Sequence, residues 1–311
     1  MGRKIYKYFS ANVIEFVFTR PSICGIKCSF PKDYNDPYEL FLGVDLTVTP
    51  DLLAAYRELV DELPQWPTSC FSASPVVAPM WAHYGDNHSG FVVEFDVDTV
   101  KSNFPNIVIM DVTYRTEPSP DIAGHLQRAV GTKKPRHAYF LQQAVLNTAY
   151  FSKDVAWSYE QECRLLDQED YCETIGDHKI LQVPINCCTA IIVGKGAAPT
   201  TISRTKDIAA ESGISWFHAL IGKSMAQPFL EAENGARAVF DGTEICPAVK
   251  VCKSCAEPVL SNSSLCPWCS ISEDHALEAA QGNPLRMLEN LGMLENYYRK
   301  LEDLARTQRT R

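Results

Sequence analysis

Cys252-Lys253-Ser254-Cys255 and Cys266-Pro267-Trp268-Cys269 are two CxxC knuckles ten residues apart. Four thiolates paired in this way are a donor set for tetrahedral zinc. The residues between them, 256–265, can form a hairpin but no core of their own, so metal binding should supply most of this module's folding free energy. With all four positions filled by Cys252, Cys255, Cys266 and Cys269 and no carboxylate base alongside, the expected zinc is structural. Such ribbons bind nucleic acid, contact proteins or staple a terminus. Lys253 is the loop's only basic residue, which favours the last two uses. Cys246, six residues upstream, reads as a spare thiol.

A second candidate is Glu160-Gln161-Glu162, followed by Arg164. Alternation at Trp157, Tyr159, Gln161 and Cys163 predicts a strand over 157–166. On a strand, carboxylates at i and i+2 share a face about 7 Å apart and can converge on one ligand. An exposed Glu–Arg ladder satisfies the same spacing. Other polar groups are equally ambiguous alone: Ser72 and Ser74 at a strand end, Asn35 and Asp36 in a turn held extended by Pro37, and Tyr84 beside Trp81 and His83.

Several elements must position these groups. Strands are expected over 5–9, 26–30, 69–74, 91–96, 107–114 and 190–194, with helical stretches near 12–18, 51–63, 80–85, 136–151 and 201–212. Gly85 should close the 80–85 helix. The expected fold class is α+β, a mixed sheet of short strands with flanking helices over residues 1–245. A small zinc ribbon follows at 246–272, and a C-terminal amphipathic helix at 273–311.

Met287, Leu291, Leu294, Tyr298, Leu301 and Ala305 recur at steps of four and three, an a/d seam that fits one helix from about Pro284. A docked interior helix and a dimerising or partner-binding coiled coil both satisfy it. Arg306, Arg309 and Arg311 suit its C-terminus.

Hydrophobic residues make up 46% of the 311, enough to bury a sizeable core. The net charge of −9 provides no overall positive field for a phosphate backbone. The basic run Lys133, Lys134, Arg136 and His137 reads as a solvated loop before a helix. No secretory h-region or membrane-spanning run is present, so a cytoplasmic protein with reduced thiols is expected. Cys187 and Cys188 read as small buried hydrophobes at a strand start.

Taken in order, Tyr6-Lys7-Tyr8, the run 30–39, Cys70-Phe71-Ser72, Met80-Trp81-Ala82-His83-Tyr84-Gly85 with Gly90-Phe91, and residues 157–164 resemble a widespread bacterial family called domain of unknown function twenty-nine seventy-one. The resemblance covers about residues 4–225 and leaves the ribbon and final helix outside. The family label names no reaction.

A more distant resemblance is to toxin-type ADP-ribosyltransferases, which use a basic residue on the first strand, a Ser-x-Ser strand end and a later Glu-x-Glu. Lys7, Ser72-Ala73-Ser74 and Glu160-Gln161-Glu162 stand in that order. The departure is Lys7 where the toxins carry Arg and their polymerase relatives His, since Lys cannot make a bidentate phosphate clamp. Arg3 and Arg20 are the available substitutes.

The resemblance implies an ADP-ribosyltransferase-like fold and NAD as substrate. Glu162 would stabilise the oxocarbenium that forms as nicotinamide leaves, and Glu160 would orient or deprotonate an unknown macromolecular acceptor. Ser72 would fix the ribose and Lys7 the phosphates, while Tyr84 or Trp81 would stack on nicotinamide. The chain would then be a toxin-like effector in bacterial conflict or phage defence. One alternative is a non-catalytic nucleotide- or protein-binding module, in which Glu160 and Glu162 are exposed or tied in structural salt bridges. Another is a metal-dependent nuclease using Asp36, Glu39, Glu160 and Glu162, which requires a carboxylate cluster that no Arg neutralises.

Overall fold

The computed structural model describes residues 2–34, 44–61, 63–259 and 263–309, and the chain forms two compact units, Met1–Ala248 and Val249–Arg311. Asn35, Asp36 and Glu39 lie outside the described residues.

In the first unit, among the described residues, ten strands build one mixed sheet. Their order is Ile245–Pro247, Arg237–Phe240, Phe229–Ala232, Ser215–Leu220, Cys188–Val193, Phe91–Asp96, Lys4–Phe9, Thr68–Ser72, Glu162–Leu166 and Val108–Asp111. Neighbours are antiparallel except Cys188–Val193 and Ser215–Leu220, whose parallel pairing is bridged by the helix Pro199–Ser212. The central strands are apolar on both faces because both faces are covered. Ile5, Phe9, Phe71 and Phe95 pack on one side. Tyr6, Tyr8, Val92 and Ile192 pack with Met80 and Trp81 on the other.

A smaller antiparallel sheet joins Ile23–Cys28, His178–Pro184 and Glu173–Ile175. Helices Pro50–Val60, Pro120–Thr132 and Pro135–Phe151 close around Ile122, Leu126 and Leu141. The helix Pro120–Thr132 does not emerge from the sequence pattern; Gly124 and Gly131 depress its local propensity, and burial of Ile122 and Leu126 overrides it.

Two expected strands have different bounds. The strand expected from residue 157 begins only at Glu162, because Val155–Glu160 is a 3-10 turn closed by Gln161 in the left-handed region at φ 47°. The strand expected over 107–114 is broken at Val112, whose N–H donates to the Glu162 carbonyl at 2.9 Å.

The second unit carries the four knuckle cysteines and then helices Glu273–Gln281, Pro284–Asn290 and Leu294–Arg309. The seam therefore does not run through one helix from Pro284. Gly292, at φ 67°, turns the chain between the last two helices.

Candidate active site

Three strands set the site in register. Tyr6 stands across from Ser72, and Ser72 across from Glu162, so these three side chains share one row and one face of the sheet. The Lys4–Phe9 and Thr68–Ser72 strands pair only at Tyr6 and Ser72 and then part. A cavity of about 220 Å³ opens in that region, lined among others by Lys7, Ser72, Tyr84, Lys153, Glu160 and Glu162.

Lys7 points to the opposite face from Glu162, as strand alternation requires, yet lines the same cavity because the strands have separated there. Its ammonium donates to the Cys70 carbonyl at 3.0 Å and lies 5.3 Å from the centre of the Phe71 ring. Burial lowers its pKa from the ordinary lysine value. Lys27, Ser29 and Tyr34 add a further cation and two hydroxyls to the lining.

The carboxylates do not form an exposed ladder. Glu160 is 3% and Glu162 4% exposed, and Arg164 is fully buried. Arg164 donates from Nε to Glu162 Oε1 at 2.8 Å and from Nη2 to Oε2 at 3.1 Å. Its Nη1 reaches the Tyr150 carbonyl at 2.8 Å, and Tyr34 packs over its guanidinium at 4.9 Å. Lys153, 4% exposed, bonds Glu160 Oε2 at 2.7 Å and Glu162 Oε2 at 3.4 Å.

Burial pushes the Glu162 pKa up, but the Arg164 and Lys153 charges outweigh it and hold the carboxyl at about 2. Glu160 accepts from the Tyr84 hydroxyl at 2.6 Å through its other oxygen. The Glu162 N–H donates to the Tyr114 hydroxyl at 2.7 Å, which fixes the start of its strand. The Cys70 thiol lines the cavity, where desolvation and the nearby Glu162 charge raise its pKa and keep it neutral.

Not every residue read from the sequence joins the cavity. Ser74 is buried, takes the Val76 N–H on its hydroxyl at 3.3 Å and the Tyr8 hydroxyl on its carbonyl at 3.0 Å, and so shapes the strand exit. Arg164 stands behind Glu162 and outside the lining. Trp81 is core: fully buried, with Nε1 donating to the Pro75 carbonyl at 2.8 Å. Gly85 follows from this packing, since a Cβ there would lie 2.8 Å from the Trp81 ring. Arg3 pairs with Asp111, and neither it nor Arg20 lines the cavity.

Lys153 was missed by sequence reasoning. Its strand, Ser152–Asp154, is only three residues long and pairs in parallel with Thr113–Arg115. No spacing signal announces such an element. The basic run around Lys133 is exposed at the junction of helices Pro120–Thr132 and Pro135–Phe151.

In the second unit the four knuckle sulfurs all lie within 4.8 Å of one another, with Cys255 and Cys266 3.7 Å apart. Four sulfurs at about 2.3 Å around a tetrahedral ion stand roughly 3.8 Å apart, so the cluster is compatible with structural zinc. Backbone N–H groups of Cys255 and Cys266 bring the Cys252 thiol down to about 6. Cys246 belongs to the first unit, beside Asp241 and Glu244.

Residues 80–165 match one known family. Its description reads "Protein of unknown function (DUF2971)". The matched span contains Tyr84, Lys153, Glu160 and Glu162, and ends just past Arg164. No curated protein and no solved structure matches. No helix among the described residues is long and apolar enough to cross a membrane.

Proposed function

We propose that the cavity binds NAD and that the chain is an ADP-ribosyltransferase-like enzyme, releasing nicotinamide and passing ADP-ribose to a macromolecular acceptor or to water. The observation that carries this reading is the meeting of Lys7, Ser72, Tyr84, Glu160 and Glu162 around one cavity. Cleaving the bond between nicotinamide nitrogen and ribose C1 leaves its electron pair on nicotinamide and a cation on the ribose. A carboxylate kept ionised beside C1 would stabilise that cation, and Glu162 is ionised and lines the cavity.

The nucleophile, an acceptor group or water, adds to C1 and gives its proton to Glu160 on the way to solvent. Lys7 and Lys27 offer positive charge to the pyrophosphate, and Ser72 a hydroxyl to the ribose. At about 220 Å³ the cavity is smaller than pockets that enclose whole drug-sized ligands, so it takes the nicotinamide-ribose end with the pyrophosphate against Lys7 and Lys27 and leaves the adenosine outside.

The metal-dependent alternative is disfavoured because Lys153 and Arg164 already occupy the Glu160 and Glu162 oxygens that would have to ligate a cation directly. Those same buried ion pairs favour a second reading, a nucleotide-binding module without turnover. One experiment separates the two: incubation of the purified chain with NAD, with nicotinamide release followed by chromatography and NAD binding by calorimetry. Release that Ser72→Ala and Glu162→Gln abolish supports the enzyme. Binding without release, with or without cell extract as acceptor, supports the module, and neither binding nor release overturns both.

In the second unit, Cys252, Cys255, Cys266 and Cys269 would hold zinc. The ion would supply folding free energy and no reaction step.

A further inference from the structure

Thirty-one consecutive residues, 122–152, contain no Asp or Glu in a chain that has 38, so cations there meet no acidic neighbour along the sequence. Arg128, Lys133, Lys134 and Arg136 are exposed around the junction of helices Pro120–Thr132 and Pro135–Phe151. Among the described residues none of the four has an ion pair. Desolvation, then the charges of Arg136, Lys134, Arg128 and His125, lower the His137 pKa, so cations of both helices converge on one place. Helix stability does not explain them: Lys134 and Arg136 stand at the positive end of the second helix dipole, with no acid in the first turn.

Exposed rings among these charges select the kind of polyanion. Tyr139 is 57% and Phe140 47% exposed. The centre of the Phe140 ring lies 6.0 Å from that of Tyr139, 6.4 Å from His125 and 6.5 Å from His137, so it sits amid the charged groups. Along their helix Arg136, Tyr139, Phe140 and Gln143 fall within about 100° of one another, opposite the buried Leu141 and Val145. From the other helix His125 and Arg128, three residues apart, share the flank that meets Phe140. Cations suit phosphates and open ring faces suit unpaired bases, and this surface interleaves the two. A duplex keeps its base faces stacked on each other, and an acidic peptide has none.

We infer that this surface binds single-stranded nucleic acid, with phosphates on Arg128, Lys133, Lys134 and Arg136 and bases stacked on Tyr139 and Phe140. Phosphate and base face are common to RNA and DNA, so strands of either kind bind alike. The net charge of −9 repels nucleic acid elsewhere on the chain and confines it to this patch. None of these residues lines the cavity, so the inference stands independently of the NAD reading.

Fluorescence anisotropy of the full chain with labelled oligo(U) and oligo(dT) of about twelve nucleotides tests this. Dissociation constants of about 1 to 100 μM are expected near physiological salt, and four neutralised phosphates give a log–log salt slope of about −3. Tyr139→Ala and Phe140→Ala should each weaken binding by at least about fivefold. Lys134→Gln combined with Arg136→Gln should flatten the slope by about 1.4. All four positions are exposed, and unchanged thermal midpoints would show that the variants fold. Duplex binding should be indifferent to the ring variants. Absence of strand binding at about 50 mM salt overturns the proposal. So do ring variants that bind the strands like wild type or that weaken duplex binding equally, and so does capture of phosphatidylserine vesicles in preference to the strands.

Discussion

Arg164 grips both oxygens of Glu162, at 2.8 and 3.1 Å, while neither residue is more than 4% exposed. A carboxylate held this way is immobile and stays ionised well below the ordinary carboxylate range, with its charge balanced by Arg164 and Lys153. The same clamp makes the pair a structural liability.

Arg164→Met should therefore destabilise the first unit by about 3 kcal/mol or more, since it leaves Glu162 and Lys153 in an unbalanced buried cluster. Urea denaturation measures this; a loss under about 1 kcal/mol would show that the cluster is solvated.

Acid should reveal the clamp next. Glu162 is depressed from the ordinary 4.5 to about 2, so its stabilising contribution is complete above about 4.5 and is lost as pH falls towards 2. Thermal midpoints recorded from pH 7 to 3 should fall more steeply for wild type than for Glu162→Gln. Parallel curves would contradict the assignment.

Lys7 carries the opposite dependence. Burial lowers its pKa, so affinity for a phosphorylated ligand should decline as pH rises, beginning below the ordinary 10.5. Lys7→Met should weaken ADP-ribose binding by roughly tenfold or more at pH 7 and remove that alkaline decline. Calorimetric titration at several pH values reads both effects.

Tyr84 and Trp81, three residues apart on one short helical turn, should separate in function. Tyr84→Phe removes the 2.6 Å bond to Glu160 and should lower nicotinamide release with little change in stability. Trp81→Ala empties a fully buried position and should cost about 3 to 5 kcal/mol. Equal stability losses in the two variants would be inconsistent with this division.

Chelation addresses the second unit. Removing metal from the intact chain, or introducing Cys252→Ser, should expose residues 249–311 to proteolysis while the unfolding transition of residues 1–248 is retained. Elemental analysis should give one zinc per chain before treatment. Resistance of the ribbon after complete chelation would show that the metal does not hold it.

The sequence alone determined what depends on short-range spacing. The two CxxC knuckles announced a zinc donor set, alternation placed the Phe91–Asp96 strand, and helical periodicity placed Pro50–Val60 and Pro199–Ser212 to within a few residues. Lys7, Ser72, Tyr84, Glu160 and Glu162 could be named as candidates, because their residue types and order are visible along the chain.

Tertiary structure decided whether they meet and in what state. Opposing Ser72 and Glu162 is a matter of strand register between distant segments, and separating the first strand from its neighbour after Tyr6 is what admits Lys7 to the cavity. The burial that turned an apparent Glu–Arg ladder into a clamp depends on Tyr34, Tyr150 and Lys153 arriving from elsewhere. Local period carries no information about such long-range pairing. For the same reason Trp157–Glu160 alternated like a strand, yet Gln161 took a left-handed turn so that Glu160 could reach Lys153 and Tyr84.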